Sequence, residues 1–293
     1  MEEICKNWST WLKKTRFSYM TEEQKNQAIN WLFSIRDIVI LTAEIQKGFK
    51  VADFGCGSGL LGFGVLEKFK DSVELIFSDK FNDCLDECKK ILESSTTPRN
   101  VRFLQSDVAD IKLESNYLDR ALTRSVLVHV KDKLPAFKEL QRVLKPGGQY
   151  CAFEPIISEN TRYYELLTPD NISDYEDFKR AEMEFMSNPN DPLVNFSAES
   201  LDKDLYEAGF KEVLINVNPT ESKYVVAKDA IETWFTAPPA PDQKTMKQRF
   251  LDYFDEQKVD NFIKEVVSAL SGKEIKVTAK TAIIKAKKQV IND

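Results

Sequence analysis

The residues best placed to do chemistry lie in one short stretch, Lys50-Val51-Ala52-Asp53-Phe54-Gly55-Cys56-Gly57-Ser58-Gly59-Leu60-Leu61-Gly62. An apolar run ends in a carboxylate, glycines follow at alternate positions, and an apolar helical pattern (Leu60, Leu61, Val65, Leu66) begins. A strand, a tight turn and a helix start are written this way. Glycine permits positive φ and keeps β-carbons off a bound molecule, while a new helix presents N–H groups that lack intrahelical partners. Gly57, Gly59 and Gly62 also spell G-x-G-x-x-G, the pattern that seats a pyrophosphate on a helix N-terminus. Asp53 argues against that occupant, because a carboxylate at the strand tip repels a pyrophosphate and attracts a cation such as an ammonium or a sulfonium.

Two further side chains suit proton transfer. His129, the single histidine, follows an apolar run by a few residues and has the side chain whose pKa fits a general base at neutral pH. Glu154, in Phe153-Glu154-Pro155, ends another apolar run and has two readings open to it, holding an acceptor hydroxyl or amine, or bonding backbone amides. Cys84 and Cys88 share one apolar helix face with Leu85, Ile91 and Leu92 and lack further ligands nearby in sequence, so they read as buried thiols rather than a metal site. Arg36-Asp37 reads as a helix ion pair, with a carboxylate ligand as the alternative.

Positioning these groups requires a scaffold, and between residues 50 and 155 short apolar runs alternate with helical patterns. That alternation implies crossover units, a parallel sheet and helices on both faces. Right-handed crossovers bring the strand C-termini to one edge, where a ligand sits. Asp53, Asp79, Asp107, Ser125 and Glu154 all fall at the ends of such runs, which points to a single site.

The order of these residues resembles the class I S-adenosylmethionine (SAM)-dependent methyltransferases of the small-molecule type. Asp53-x-Gly55-x-Gly57-x-Gly59 is similar to the family's first motif, and Asp79 stands where the family places an acid for the ribose hydroxyls. Ser106-Asp107-Val108 is similar to the adenine-side motif, Leu118 to Ser125 to the fourth strand, and Arg142-Val143-Leu144-Lys145-Pro146-Gly147-Gly148 to the turn before the fifth. The resemblance implies a doubly wound, seven-stranded, mostly parallel Rossmann-like sheet, SAM as cofactor and a small-molecule acceptor. It implies that Asp53, Gly55, Cys56, Gly57 and Gly59 hold the methionine end, Asp79 the ribose, and Asp107 with Val108 the adenine. Lys80, Arg124 and Ser125 complete the cofactor set at the strand ends, and His129 and Glu154 are the catalytic candidates.

Outside this block the chain reads as additions. Residues 1–48 form an N-terminal helical cover, with Trp11, Phe17 and Tyr19 near the ligand or in the core, and residues 49–293 are the SAM-binding domain with insertions near 156–196 and 229–272. Tyr163, Tyr164 and Phe185 of the first insertion are expected around the acceptor. A net charge of -6 with dispersed lysines offers no stripe to a phosphate backbone, and Thr123-Arg124-Ser125-Val126 replaces the Asn/Asp-Pro-Pro-aromatic motif of base-methylating enzymes, so nucleic acid is not expected as a substrate. No run approaches the roughly 20 apolar residues of a membrane span, and five irregularly spaced cysteines read as reduced thiols, which suggests a cytoplasmic protein. The rival readings are an NAD-type oxidoreductase built on Gly57, Gly59 and Gly62, and a non-catalytic partner subunit.

Overall fold

The computed structural model describes residues 3–14, 21–93, 100–238 and 243–290. Two helices lead, α1 (Glu3–Lys14) and α2 (Glu22–Thr42). The alternating core follows as β1 (Lys50–Phe54), α3 (Leu60–Phe69), β2 (Glu74–Asp79), α4 (Asn82–Glu93), β3 (Val101–Gln105), β4 (Leu118–Arg124), α5 (Lys133–Val143) and β5 (Leu144–Pro155). The rest of the chain forms α6 (Tyr175–Phe185), α7 (Ala198–Glu207), β6 (Phe210–Val225), α8 (Lys228–Thr236), α9 (Met246–Phe250), α10 (Glu256–Leu270) and β7 (Glu274–Lys288).

One seven-stranded sheet runs in the order β3-β2-β1-β4-β5-β7-β6. The pairs β1–β2, β1–β4, β2–β3 and β4–β5 are parallel, as the strand and helix alternation requires. β1, β2 and β4 are buried almost throughout; β1 and β2 hold the apolar runs Val51-Ala52 and Leu75-Ile76-Phe77, whereas β4 buries Arg120 and Thr123 among its apolar residues. The order reverses between β1 and β4, and the candidate residues Asp53, Asp79 and Arg124 lie at the C-terminal ends around that point.

Contacts divide the chain into a first unit, residues 1–155, 198–217 and 282–293, and a second, residues 156–197 and 218–281. In the first, α2 starts on a reciprocal capping box in which Gln24 N–H donates to Thr21 Oγ1 at 3.2 Å and Thr21 N–H donates to Gln24 Oε1 at 3.0 Å. α1 and α2 bury Cys5, Trp8, Ile29, Leu32, Ile35 and Val39 in one core with Leu61, Phe63 and Phe77. Arg36 donates to Asp37 at 2.9 Å, the helix pair read from the sequence, and also to Glu67 of α3 at 2.8 Å. Phe17 and Tyr19 lie outside the described residues, as does the side chain of Trp11.

The second unit has its own aromatic core. Phe178 stacks on Phe262 with ring centroids 3.8 Å apart, and Phe185 and Phe250 meet edge to face at 5.1 Å. Glu182 is buried and accepts the Tyr163 and Tyr164 amides at 2.9 and 3.1 Å; burial pushes its carboxyl up to about 7. Tyr163 stacks on Trp234 and Phe235, and Phe185 is 5% exposed, so these two aromatics are engaged in packing their own unit. β6 continues past Val217, where the apolar pattern ends, to Val225. Residues 218–225 are exposed on both faces, so no hydrophobic alternation marks them as strand.

Candidate functional site

Three glycines make the turn after β1 with positive φ: 62° at Gly55, 51° at Gly57 and 86° at Gly59. Gly57 is the informative one. A β-carbon built on it meets no protein atom within 4 Å, so the turn is open there for a bound molecule and glycine serves the backbone angle alone. Gly62 shows the opposite case, since its β-carbon would lie 2.1 Å from the Phe77 ring; it lets α3 press on β2.

Asp53 is 2% exposed and accepts the Gly62 amide at 2.8 Å, one of the N–H groups that α3 cannot satisfy itself. Burial pushes its carboxyl up to about 7, with the negative Asp79 adding to the rise and Gly62 and Arg124 opposing it. Asp79, at the β2 tip, is 6% exposed and accepts Gly57 N–H through Oδ2 at 2.9 Å and Phe81 N–H through Oδ1 at 3.0 Å. The acid and the open glycine are therefore one assembly, with a second lone pair on each oxygen for a diol.

At the next strand end, Asp107 accepts the Ala109 amide at 2.9 Å and pairs with Lys80 at 3.1 Å. The Ala109 amide, followed by Lys80, holds its carboxyl below the usual range. Val108 is buried beside it, and Lys80 is exposed. Cross-bonds lock the three tips together, because Cys56 N–H donates to the Ser78 carbonyl and Ser106 N–H to the Asp79 carbonyl, each at 3.0 Å.

On the other side of β1, Arg124 is the register partner of Phe153. Its guanidinium lies close enough to lower the pKa of both Asp53 and Glu154. Ser125 takes a left-handed φ of 53°, unusual for a residue with a β-carbon, and donates its amide to the Phe153 carbonyl at 2.9 Å. Glu154 is fully buried and accepts two consecutive amides, Val126 at 3.0 Å and Leu127 at 3.2 Å; burial pushes its carboxyl up to about 7. The amide-bonding reading of Glu154 is thus the observed one. His129 closes the short helical turn Leu127–His129 held by these bonds and is exposed.

Trp31 belongs to this group and was not singled out from the sequence, where it sits in a helical apolar pattern. It is 54% exposed, meets the edge of Phe153 at 6.2 Å and lies under the Arg124 guanidinium at 6.0 Å. Its signal was the width of the apolar arc of α2: Ile29, Leu32, Ile35 and Val39 are buried, while Trp31, Ile38 and Leu41 stay exposed.

The open glycine turn and the acids at three adjacent strand ends lie at the edge of a doubly wound sheet where ligands of such folds sit. Residues 51–148 match the family model described as a methyltransferase domain. An uncharacterized methyltransferase of Schizosaccharomyces pombe is 30% identical over 115 residues, 38% of this chain and 41% of that protein. A ubiquinone/menaquinone biosynthesis C-methyltransferase of Francisella philomiragia is 26% identical over 180 residues, 58% of this chain and 69% of that protein. Among solved structures, a Haemonchus contortus phosphoethanolamine N-methyltransferase in complex with phosphomonomethylethanolamine and S-adenosylhomocysteine shares the fold, at a TM-score of 0.52 and 17% identity over 96% of this chain and 60% of that one. The chain spans about two fifths of the S. pombe protein. Residues 51–148 are thus similar to a methyltransferase domain, and the chain shares its fold with a solved methyltransferase.

Proposed function

We propose that this protein transfers a methyl group from SAM to a small-molecule acceptor. The observation that carries the reading is the joint placement of Gly57 and Asp79: an acid that holds the turn's own amide, beside a glycine whose β-carbon position is open. The residues fit the cofactor. Asp79 takes the ribose hydroxyls with its remaining lone pairs, Asp107 and Val108 the adenine, and the turn from Gly55 to Gly59 the methionine end, with Asp53 setting the turn against α3. Bound SAM supplies a methyl group already activated on a sulfonium.

The protein's task is then alignment and exclusion of water, and well-oriented reactants recover about 7–11 kcal/mol of barrier. Glu154 and the strained Ser125 fix the segment 125–129, and His129, exposed at its end, takes the acceptor's proton. Arg124 balances the buried carboxyls of Asp53 and Glu154. Among the described residues no helix is long and apolar enough to cross a membrane and no His/Cys/Asp/Glu group is set to hold a metal. Five free cysteines support a reducing, cytoplasmic setting, and the net charge of -6 supports a small molecule rather than nucleic acid as acceptor.

Calorimetric titration of the full chain with SAM, S-adenosylhomocysteine and NADH tests the cofactor, and a screen with methyl-labelled SAM tests the transfer. Binding of both sulfur compounds with label in a small molecule is expected. Binding of NADH alone would leave the oxidoreductase reading standing instead.

A further inference from the structure

The glycine turn contains a second chemical group that cofactor binding does not use. Cys56, inside the turn, points its thiol at the Gly57 carbonyl at 3.8 Å, and Cys88, fully buried on α4, donates to the same carbonyl at 3.4 Å. A β-carbon built on Gly59 would lie 3.0 Å from the Cys88 sulfur, so that sulfur lies directly against the turn. The neighbouring Cys88 thiol, followed by burial, drives the Cys56 thiol far above its usual range. Cys84, one helical turn before Cys88, is half-buried, and none of the cysteines is in a disulfide.

We propose that Cys56 and Cys88 are a thiol-modification site that a small-molecule disulfide oxidises to a Cys56–Cys88 bond, and that this bond disables the turn. The second half rests on the reading of the turn as the SAM seat. The exchange balances without further reactants. Cys56, 7% exposed against none for Cys88, gives up its proton and attacks one sulfur of the small disulfide, whose S–S bond breaks and releases one thiol. Cys88 then loses its proton and attacks the Cys56 sulfur of the mixed disulfide, releasing the second thiol. Two protein thiols are oxidised and one small disulfide is reduced to two thiols.

Burial and the raised thiol make this exchange slow at neutral pH. Its structural consequence follows from distance. A disulfide brings the sulfurs to about 2.05 Å, which draws residue 56 toward α4 and strips both S–H donors from the Gly57 carbonyl. The amide of the same Gly57 holds Asp79, so the displacement reaches the acid assigned to the ribose.

The test uses the reduced full-length chain incubated with oxidised glutathione, then mapped by mass spectrometry without reduction and titrated with S-adenosylhomocysteine. A peptide pair joined through Cys56 and Cys88 is expected, with affinity lowered roughly tenfold, the worth of about one hydrogen bond, and restored by dithiothreitol. Cys84→Ser must keep the cross-link, and Cys88→Ser, checked for fold by circular dichroism, must lose it; should Cys88→Ser not fold, the wild-type peptide map decides. Glutathione adducts without a cross-link, or a cross-link through Cys84, would overturn the site. A Cys56–Cys88 bond with unchanged affinity would overturn the disabling effect. A reduced chain that does not bind S-adenosylhomocysteine would sink the SAM reading and that effect with it, while the peptide map still decides the thiol pair.

Discussion

The Asp53 carboxylate lies 2.8 Å from the Gly62 amide, so the tip of β1 and the first turn of α3 are joined by a buried acid rather than by a helix cap of the usual Ser or Thr kind. That acid is pushed from 3.8 to about 7 by burial. A folded chain that binds a carboxyl proton more tightly than the unfolded chain gains stability that is complete below pH 3.8 and lost as pH rises through about 7.

Asp53→Asn keeps an oxygen for Gly62 and removes the titration. The stability difference between wild type and this variant should therefore shift against the wild type between about pH 4 and about pH 7.5, by on the order of a few kcal/mol. Urea midpoints of the two proteins across that range read it. A difference that stays constant with pH would mean that Asp53 ionises normally.

Gly57→Ala and Gly62→Ala should separate ligand binding from folding. At Gly57 the new methyl meets no protein atom within 4 Å, so only the left-handed backbone costs, about 1–2 kcal/mol, while on the proposed function affinity for S-adenosylhomocysteine falls steeply because the methyl enters the proposed cofactor seat. At Gly62 the methyl meets Phe77, a fully buried ring stacked on Phe103, and overpacking should lower stability by about 1–3 kcal/mol or more. Calorimetry and urea melts on both variants check the contrast. Equal loss of binding and stability at Gly57 would close the open-turn reading.

The sheet was legible because β1 and β2 are buried on both faces and carry apolar runs that lead to Asp53 and Asp79, while β4, rich in polar residues, was read from its place in the alternation and its resemblance to a fourth strand ending at Ser125. What those end residues do was not legible. Whether a strand-end carboxylate faces a ligand or an amide depends on where the chain returns in space: Gly62 lies nine residues from Asp53, but Val126 lies 28 residues from Glu154. Trp31 was hidden for a related reason, since the wide apolar arc of α2 shows that some of its large side chains stay exposed but not which ones. The length of β6 left no trace because its second half buries nothing.

Glu154 carries the next prediction. It accepts two successive amides from a position with no exposure, so Glu154→Ala leaves the buried Leu127 N–H unpaired, at about 1–3 kcal/mol, and the half-buried Val126 N–H without its acceptor. Glu154→Gln restores one acceptor and should recover part of that loss in a urea melt. Turnover should follow the same order, Gln above Ala, because the segment leading to His129 is what the bonds hold. A Gln variant as stable as wild type yet inactive would instead make Glu154 the proton acceptor.

Trp31 should behave in the reverse manner. Its indole is 54% exposed, and what it gives the fold is one edge contact with Phe153 and a cation–π contact with Arg124, together about 1 kcal/mol. Trp31→Ala should therefore leave the urea midpoint nearly unchanged. It stands beside Arg124 and Phe153 at the ends of β4 and β5, and the proposed function brings the acceptor to these strand tips. With any acceptor found in the labelled-SAM screen, Trp31→Ala should raise the acceptor KM several-fold, Trp31→Phe should recover most of it by keeping an aromatic face, and S-adenosylhomocysteine affinity should not move. A KM that ignores both substitutions would take Trp31 out of the acceptor site.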